Sequence, residues 1–366
     1  MGLNSSMKKI LPKFIVLAAV LFAGSLFSCA SSQAMAKRSP QKMLEWTLKD
    51  QPDGIITIAQ IDGAGERIDV YGNNGSPLPT KENLDHVFEV GSITKTITAA
   101  LICRAVKEGL VGLDDSVDKI LALPKREDGP YPSVRAFVTH SSGYPTYPRE
   151  GELLKNHFFK NGDYEKLSKK DILEILATST VQKQNKTFLY SNFGYAVLGV
   201  LLEELYKKPY HELANNFVQN ELGMKRTYLG GTSPAQSGGK RDLGNYWDWK
   251  SDDTYLSAGG FYSTVGDMII YARLQLEEKG IFADCHKVLE RDANKKGSLA
   301  ICYGWFFSEK RNVWGHSGAT GHYNSFLYFD IKRQRAVIAL SNLPPDFKIP
   351  ASSIGKKIFD KNGDEK

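Results

Sequence analysis

Residues 87–95 read VFEVGSITK, and this stretch decides how the rest of the chain is interpreted. An apolar run precedes Ser92, and a long apolar segment with helical spacing continues to Glu108. Gly109 then occupies the position at which helices commonly end, and Leu110 is its apolar follower. The pattern predicts that Ser92 opens a helix that runs to Glu108.

Ser92 and Lys95 form an S-x-x-K pair. Positions three apart lie on one helical face, so the amine is expected beside the hydroxyl. The helix N-terminus favours negative charge that develops there, and a serine hydroxyl needs such an adjacent base to act as a nucleophile. Other pairs with this spacing, such as Ser116 and Lys119, lack the apolar surroundings and indicate only a solvated face.

On either side of Ser92, the sequence predicts strands toward both ends of the chain and helices between them. A helix over residues 41–50 and a strand pair precede Ser92, and helices are predicted to start near Ser168, Asn192 and Thr264. The predicted strands are Ile55–Asp62, Ile68–Tyr71, Tyr303–Phe307, Val313–Ser317, Ser325–Phe329 and Ala336–Leu340. This order predicts an α+β fold, in which an antiparallel sheet is flanked by terminal helices and an all-helical lobe is inserted at about residues 125–255.

Residues 1–28 have the pattern of an export signal. Three lysines precede an apolar run at residues 14–27, which is short for a membrane span of about 20 residues. Cys29 follows a lipobox-like sequence, which predicts lipidation and a membrane anchor. An A-x-A site at residues 34–36 is the alternative, and it would release a soluble periplasmic or secreted protein. We interpret residues 29–40 as a linker and residues 41–360 as one catalytic domain.

Charge and composition exclude several function classes. The net charge is +6, and removing the three signal lysines leaves +3 without a basic stripe, so no nucleic-acid partner is expected. The histidines are scattered without metal-ligand spacing, so we expect neither a metal nor a cofactor. Of the cysteines beyond Cys29, Cys103 is expected to be a small buried residue. Whether Cys285 and Cys302 pair is left open.

Three motifs resemble those of the serine β-lactamases and penicillin-binding proteins. The segment around Ser92 and Lys95 is similar to the first motif, Tyr190-Ser191-Asn192 to the Y-x-N motif of the class C branch, and His316-Ser317-Gly318 to the third. Their order and spacing agree over residues 45–345. Taken alone, Tyr190 is interpreted as packing at a helix entrance with Asn192 as the N-cap. The motifs in this order support the resemblance more strongly than any one of them.

The resemblance implies a role for each residue. Ser92 is acylated, while Lys95 and Tyr190 share the proton transfers. The backbone amides of Ser92 and Ala319 form the oxyanion hole. Asn192, together with His316, Ser317 and Gly318, binds the substrate. Acting as a base, Lys95 needs a pKa about 3 units below its usual value; otherwise Tyr190 takes that role.

The resemblance also implies what the protein acts on. His316 stands where many relatives have lysine, and histidine is mostly neutral at pH 7.5. We therefore expect hydrolysis of esters, amides or D-amino-acid peptides, including peptidoglycan-derived ones, in the cell envelope. The alternatives are a true class C-type β-lactamase and a non-catalytic, peptidoglycan-binding envelope lipoprotein.

Overall fold

The computed structural model describes residues 34–127, 129–146, 167–179, 188–231, 246–292 and 299–364. Residues 1–28, predicted to be an export signal, and Cys29 lie outside these ranges. So do residues 147–166, 180–187 and 232–245 of the region predicted to form the helical lobe. Among the described helices, none has the length and apolar character needed to cross a membrane.

Twelve strands and twelve α-helices are described. The strands are β1 Ile56–Asp62, β2 Gly65–Tyr71, β3 Pro77–Leu78, β4 Phe88–Glu89, β5 Tyr228–Leu229, β6 Phe261–Ser263, β7 Glu290–Arg291, β8 Ala300–Ile301, β9 Phe306–Ser308, β10 Val313–Ala319, β11 Asn324–Asp330 and β12 Arg335–Ser341. The helices are α1 Pro40–Thr47, α2 Thr80–Asn83, α3 Thr94–Lys107, α4 Asp118–Leu121, α5 Val134–Val138, α6 Lys169–Thr178, α7 Asn192–Tyr206, α8 Tyr210–Asn216, α9 Leu256–Gly259, α10 Val265–Leu276, α11 Phe282–Cys285 and α12 Ala351–Asp364.

The main sheet is antiparallel and joins the two ends of the chain. Its order is β3-β2-β1-β12-β11-β10-β9-β8-β7, so β1 pairs with β12 although almost the whole chain separates them. A smaller sheet has the order β4-β6-β5 and leads directly to Ser92. The predicted α+β class with a closing antiparallel sheet is confirmed.

Alternating side chains give the sheet two apolar faces. On β12, Val337 and Ala339 pack under the terminal helices α1 and α12, while Ile338 and Leu340 face the opposite way. The opposite face is covered by α10, and behind it α3 packs against α7. The terminal helices therefore flank the sheet as predicted, and the site lies on its other face.

Three local predictions need correction. Tyr303–Phe307 is not one strand, because Gly304 has a left-handed φ of +73° and forms the turn between β8 and β9. The α-helix after Ser92 begins only at Thr94, since Gly91–Ile93 forms a 3₁₀ turn. The predicted lobe is not purely helical, because β5 pairs with the edge of β6.

The described cysteines are all free and buried. Cys103, Cys285 and Cys302 form no disulfide, so the pairing left open for the last two is absent among these residues. The Cys302 thiol lies 3.2 Å from the carbonyl oxygen of His286. Burial raises the pKa of this thiol to about 12, which keeps it protonated and unreactive at neutral pH.

Candidate active site

Ser92 lies in a tight turn wedged against the end of β10. Gly91 precedes it with φ +50°, and a Cβ atom there would lie 2.7 Å from the backbone nitrogen of Ala319. A Cβ atom on Gly318 would lie 2.0 Å from the Val90 carbonyl oxygen and 2.9 Å from the Ser92 nitrogen. The two glycines thus permit the close approach that brings the Ser92 and Ala319 amides together.

Lys95 stands one helical turn beyond Ser92, and its side chain is completely buried. Its Nζ atom lies 3.0 Å from Ser92 Oγ and donates a hydrogen bond of 2.6 Å to the Ala258 carbonyl oxygen. Burial holds the pKa of Lys95 well below its usual value. This is the direction that a general base at neutral pH requires.

Tyr190 enters the site from the segment that precedes α7. Its ring centroid lies 5.0 Å from Lys95 Nζ. Thr146 Oγ1 donates a hydrogen bond of 2.7 Å to the Tyr190 carbonyl oxygen and anchors the segment. The N-cap of α7 is Ser191, whose Oγ accepts from the Gly194 amide at 2.9 Å, so the alternative that Asn192 is the cap is wrong. Asn192 is buried in the first turn of α7, directly after this cap.

His140 supports Tyr190 from behind. The ring centroids are 4.4 Å apart, and His140 Nδ1 accepts a hydrogen bond of 3.1 Å from the Ser191 amide. Its φ of +57° belongs to the left-handed region that non-glycine residues seldom adopt. Burial holds the pKa of His140 well below its usual value. A neutral His140 with an accepting Nδ1 therefore fixes the backbone of the Y-x-N segment.

His316 and Gly318 lie on the face of β10 that turns toward the site, two and four residues beyond Trp314. His316 Nδ1 lies 2.7 Å from the Ser317 carbonyl oxygen, which makes Nδ1 the protonated nitrogen. The ring is 6.4 Å from that of Tyr190. Burial, with a smaller contribution from Lys95, lowers the pKa of His316 to about 3. His316 is therefore uncharged across the physiological range.

Hydrogen bonds from the neighbouring strand hold the third motif in place. Ser325 Oγ donates to the Val90 carbonyl oxygen at 2.7 Å, and Asn324 Nδ2 donates to the Gly318 carbonyl oxygen at 2.9 Å. Both donors are on β11. The strand that carries His316, Ser317 and Gly318 is thereby linked to the residues just before Ser92.

The aromatic residues at 246–255 form part of the core. Trp247, Trp249 and Tyr255 are each less than one tenth exposed and belong to the main apolar cluster. The sequence left open whether they line a binding cleft, and their burial favours packing. The sequence interpretation gave the buried Glu89 no role of its own. Glu89 was read only as part of the run before Ser92, although a charged residue inside an apolar run is itself a signal.

The structure brings together residues that are far apart in the sequence. Around Ser92 the structure gathers Lys95, Tyr190, His316 and Ala319. Asn192 lies at the start of α7, two residues after Tyr190, and Ser317 and Gly318 lie on the strand that carries His316. A hydroxyl, a buried amine of lowered pKa and a phenol next to two neighbouring backbone amides can carry out acyl transfer.

A β-lactamase family model matches residues 56–352, and the chain belongs to this family, whose members are serine hydrolases. "Protein flp" of Staphylococcus aureus is 22% identical over 300 residues, which cover 76% of this chain and 57% of that protein. "Penicillin-binding protein 4*" of Bacillus subtilis is 30% identical over 163 residues, or 43% of this chain and 33% of that protein. The chain therefore spans little more than half the length of the first of these relatives.

Solved structures show the same fold. A D-stereospecific amidohydrolase from Streptomyces has a TM-score of 0.67 at 20% identity, covering 87% of this chain and 97% of that chain. A β-lactamase/D-alanine carboxypeptidase from Yersinia pestis has a TM-score of 0.66 at 17% identity, covering 91% and 97%. At this identity the likeness extends to the fold alone.

Proposed function

We propose that this chain is a serine hydrolase that forms an acyl-enzyme at Ser92 and hydrolyses esters, amides or D-amino-acid peptides. One observation carries the proposal: Lys95, completely buried and of lowered pKa, places Nζ 3.0 Å from Ser92 Oγ. A neutral amine at this distance can accept the hydroxyl proton as the oxygen attacks.

The steps follow from the arrangement. Ser92 Oγ forms a bond to the substrate carbonyl carbon while its proton passes to Lys95, with Tyr190 next to the amine to relay it to the leaving group. The Ser92 and Ala319 amides stabilise the negative oxygen of the tetrahedral intermediate, and each such donor typically contributes about 3 kcal/mol. The leaving group departs as the C–O or C–N bond breaks. Water then attacks the acyl-enzyme and releases the acid.

The third motif, His316-Ser317-Gly318, carries no charge at neutral pH, and this supports the proposal of neutral esters and amides as substrates. A lysine at residue 316 would attract a substrate carboxylate, as in β-lactams or D-Ala-D-Ala peptides. His316, with a pKa of about 3, supplies no such charge at neutral pH. We therefore place neutral acyl esters and amides ahead of β-lactams as good substrates.

Intact-mass spectrometry after exposure to a panel of β-lactams and activated esters tests the proposal. The expected result is one covalent acyl adduct, which Ser92→Ala abolishes and a control Ser116→Ala retains. Turnover of nitrocefin faster than that of a short acyl ester would favour a true β-lactamase. If the folded protein shows no Ser92-dependent adduct and no turnover, the remaining interpretation is a non-catalytic peptidoglycan-binding module.

We further propose that the protein is exported and attached to the membrane through a lipidated Cys29. The basis is the signal-like segment and lipobox-like sequence described above, with the A-x-A site at residues 34–36 as the alternative. We expect cleavage of the signal segment to be sensitive to globomycin and to be lost in Cys29→Ala. Unchanged release of a soluble product from both proteins would favour the A-x-A site.

A further inference from the structure

Glu89 is a buried carboxylic acid three residues before Ser92, and the proposed mechanism gives it no step. It lies in β4 opposite Tyr262 of β6, and its side chain is 2% exposed. A carboxyl group is rarely buried unless hydrogen bonds replace its contacts with water. Its hydrogen-bond partners therefore indicate why the group is there.

Both carboxyl oxygens of Glu89 accept hydrogen bonds from distant segments. Oε2 accepts from Thr320 Oγ1 at 2.6 Å. Oε1 accepts from the Trp247 amide at 3.0 Å and from Trp249 Nε1 at 3.1 Å. One side chain thus joins the strand leading to the nucleophile, the end of β10 and the aromatic segment.

Thr320 follows Ala319 directly, so holding Thr320 in place restrains the backbone on the carboxyl side of Ala319. Beyond β10 the Thr320 amide donates to the Tyr323 carbonyl oxygen at 3.0 Å, in the turn that leads to β11. The bond from Thr320 to Glu89 crosses from this turn to the residues before Ser92. It therefore links the two segments whose amides make up the proposed oxyanion hole.

The aromatic segment around Trp247 packs against the same turn, between β10 and β11. A Cβ atom on Gly321 would lie 2.5 Å from Trp247 Nε1, so the indole packs directly against the turn. The Tyr262 hydroxyl donates to the Trp247 carbonyl oxygen at 3.1 Å. Glu89 thus holds Trp247 through its amide while Trp247 holds the turn through its ring.

We propose that Glu89 is a positioning residue that fixes the Ala319 amide relative to the Ser92 hydroxyl and thereby sets the rate of acyl transfer. The inference rests on the proposed function and adds a residue to it. An oxyanion-hole donor contributes only when it meets the developing charge, and a misplacement of about 1 Å can lower a rate by about 100-fold.

The ionisation of Glu89 offers a readout that simple packing would not give. Burial raises the pKa of this carboxyl group to about 7. The opposing effect comes from the hydrogen bonds that it accepts from Thr320, Trp247, Trp249 and Tyr262. The Tyr262 phenol faces this carboxyl group, with the phenols of Tyr228 and Tyr246 beside it and that of Tyr323 stacked on Tyr246. Gln resembles the protonated acid in shape and bonding but does not ionise.

Hydrolysis of p-nitrophenyl acetate by the full chain and three variants tests the proposal. Glu89→Ala is expected to lower kcat by about 100-fold and Thr320→Val by about tenfold, with KM changed less than about threefold. Glu89→Gln is expected to restore kcat to within about threefold of the unmodified protein. Its kcat profile should also lack the inflection near pH 7 that Glu89 gives.

Asp267→Ala is the matched control. Asp267 is also a buried carboxylic acid that accepts hydrogen bonds, from Thr227 Oγ1 and the Arg226 amide, but it lies at the start of α10. The Asp267→Ala variant should have a lower thermal unfolding midpoint, as Glu89→Ala should, but an unchanged kcat.

Two results would overturn the inference alone: kcat unchanged in folded Glu89→Ala and Thr320→Val, or an equal loss of kcat in Asp267→Ala. If Glu89→Ala does not fold, Thr320→Val and Glu89→Gln decide the question. An unmodified protein that hydrolyses no ester and forms no Ser92 adduct would instead overturn the proposed function, and this inference with it.

Discussion

The two faces of the main sheet differ in what they bury. The outer face, under α1 and α12, is covered by an apolar cluster that includes Met43, Ile58, Val337 and Ile354. The inner face approaches Ser92, and there the chain buries Lys95, His140, His316 and Glu89, all with shifted pKa values.

This difference separates stability from reactivity. Burying an aliphatic side chain stabilises the fold by about 1.5–3 kcal/mol, whereas burying an ionisable group costs free energy and shifts its pKa. The outer face therefore holds the sheet together, and the inner face holds the groups that the proposed chemistry needs. Substitutions on each face should affect different measurements.

The largest effect is expected from Lys95→Met. Removing the proposed base should lower kcat by about 1,000-fold, within the range for general-base catalysis. Unfolding in urea should show equal or slightly higher stability, because a buried amine is replaced by an apolar chain of similar length. Lys107→Met, on the exposed end of α3, should change neither quantity. A loss of stability in Lys95→Met without loss of kcat would contradict the comparison.

Ile354→Ala tests the outer face. Ile354 is completely buried between α12 and the sheet, so the free energy of unfolding should fall by about 2–4 kcal/mol. The kcat of the remaining folded protein should not change. Lys356→Ala on the exposed side of the same helix should alter stability by less than about 0.5 kcal/mol. A large fall in kcat at full folding would mean that the two faces are coupled.

The pH dependence of stability gives a smaller effect. The folded-state pKa of Glu89, about 7, lies above the ordinary value of 4.5. The stabilisation from protonated Glu89 is therefore fully present below pH 4.5 and is lost as the pH rises through 7. Relative to Glu89→Gln, the unmodified protein should lose about 1–3 kcal/mol of stability between pH 5 and pH 8. Parallel stability curves for the two proteins would argue against a raised pKa.

His316→Lys should give the smallest change. A charged third motif should raise kcat/KM for carboxylate-bearing substrates relative to neutral esters by about tenfold, equal to about 1.4 kcal/mol. His322→Lys adds the same charge at an exposed position a few residues further on and should leave the ratio unchanged. A ratio that moves equally in both variants would show that only the overall charge matters.

The sequence predicted the fold class and the residues of the three motifs, because these depend on local patterns. Alternation of apolar residues identified the five long strands of the sheet, β1, β2, β10, β11 and β12. The helix predicted to start near Ser168 does so, with a capping box formed by Ser168 and Asp171. The strand near Tyr303 was misplaced, since a glycine turn interrupts a run that looks continuous by composition.

The protonation states and distances within the site depend on the tertiary structure. Burial, which sequence does not reveal residue by residue, lowers the pKa values of Lys95 and His316 and raises that of Glu89. The contact between Glu89 and Thr320 joins residues 231 positions apart. Spacing along the chain specified which groups were available, whereas the distances and dielectric surroundings that make them reactive arise only when separate segments pack together.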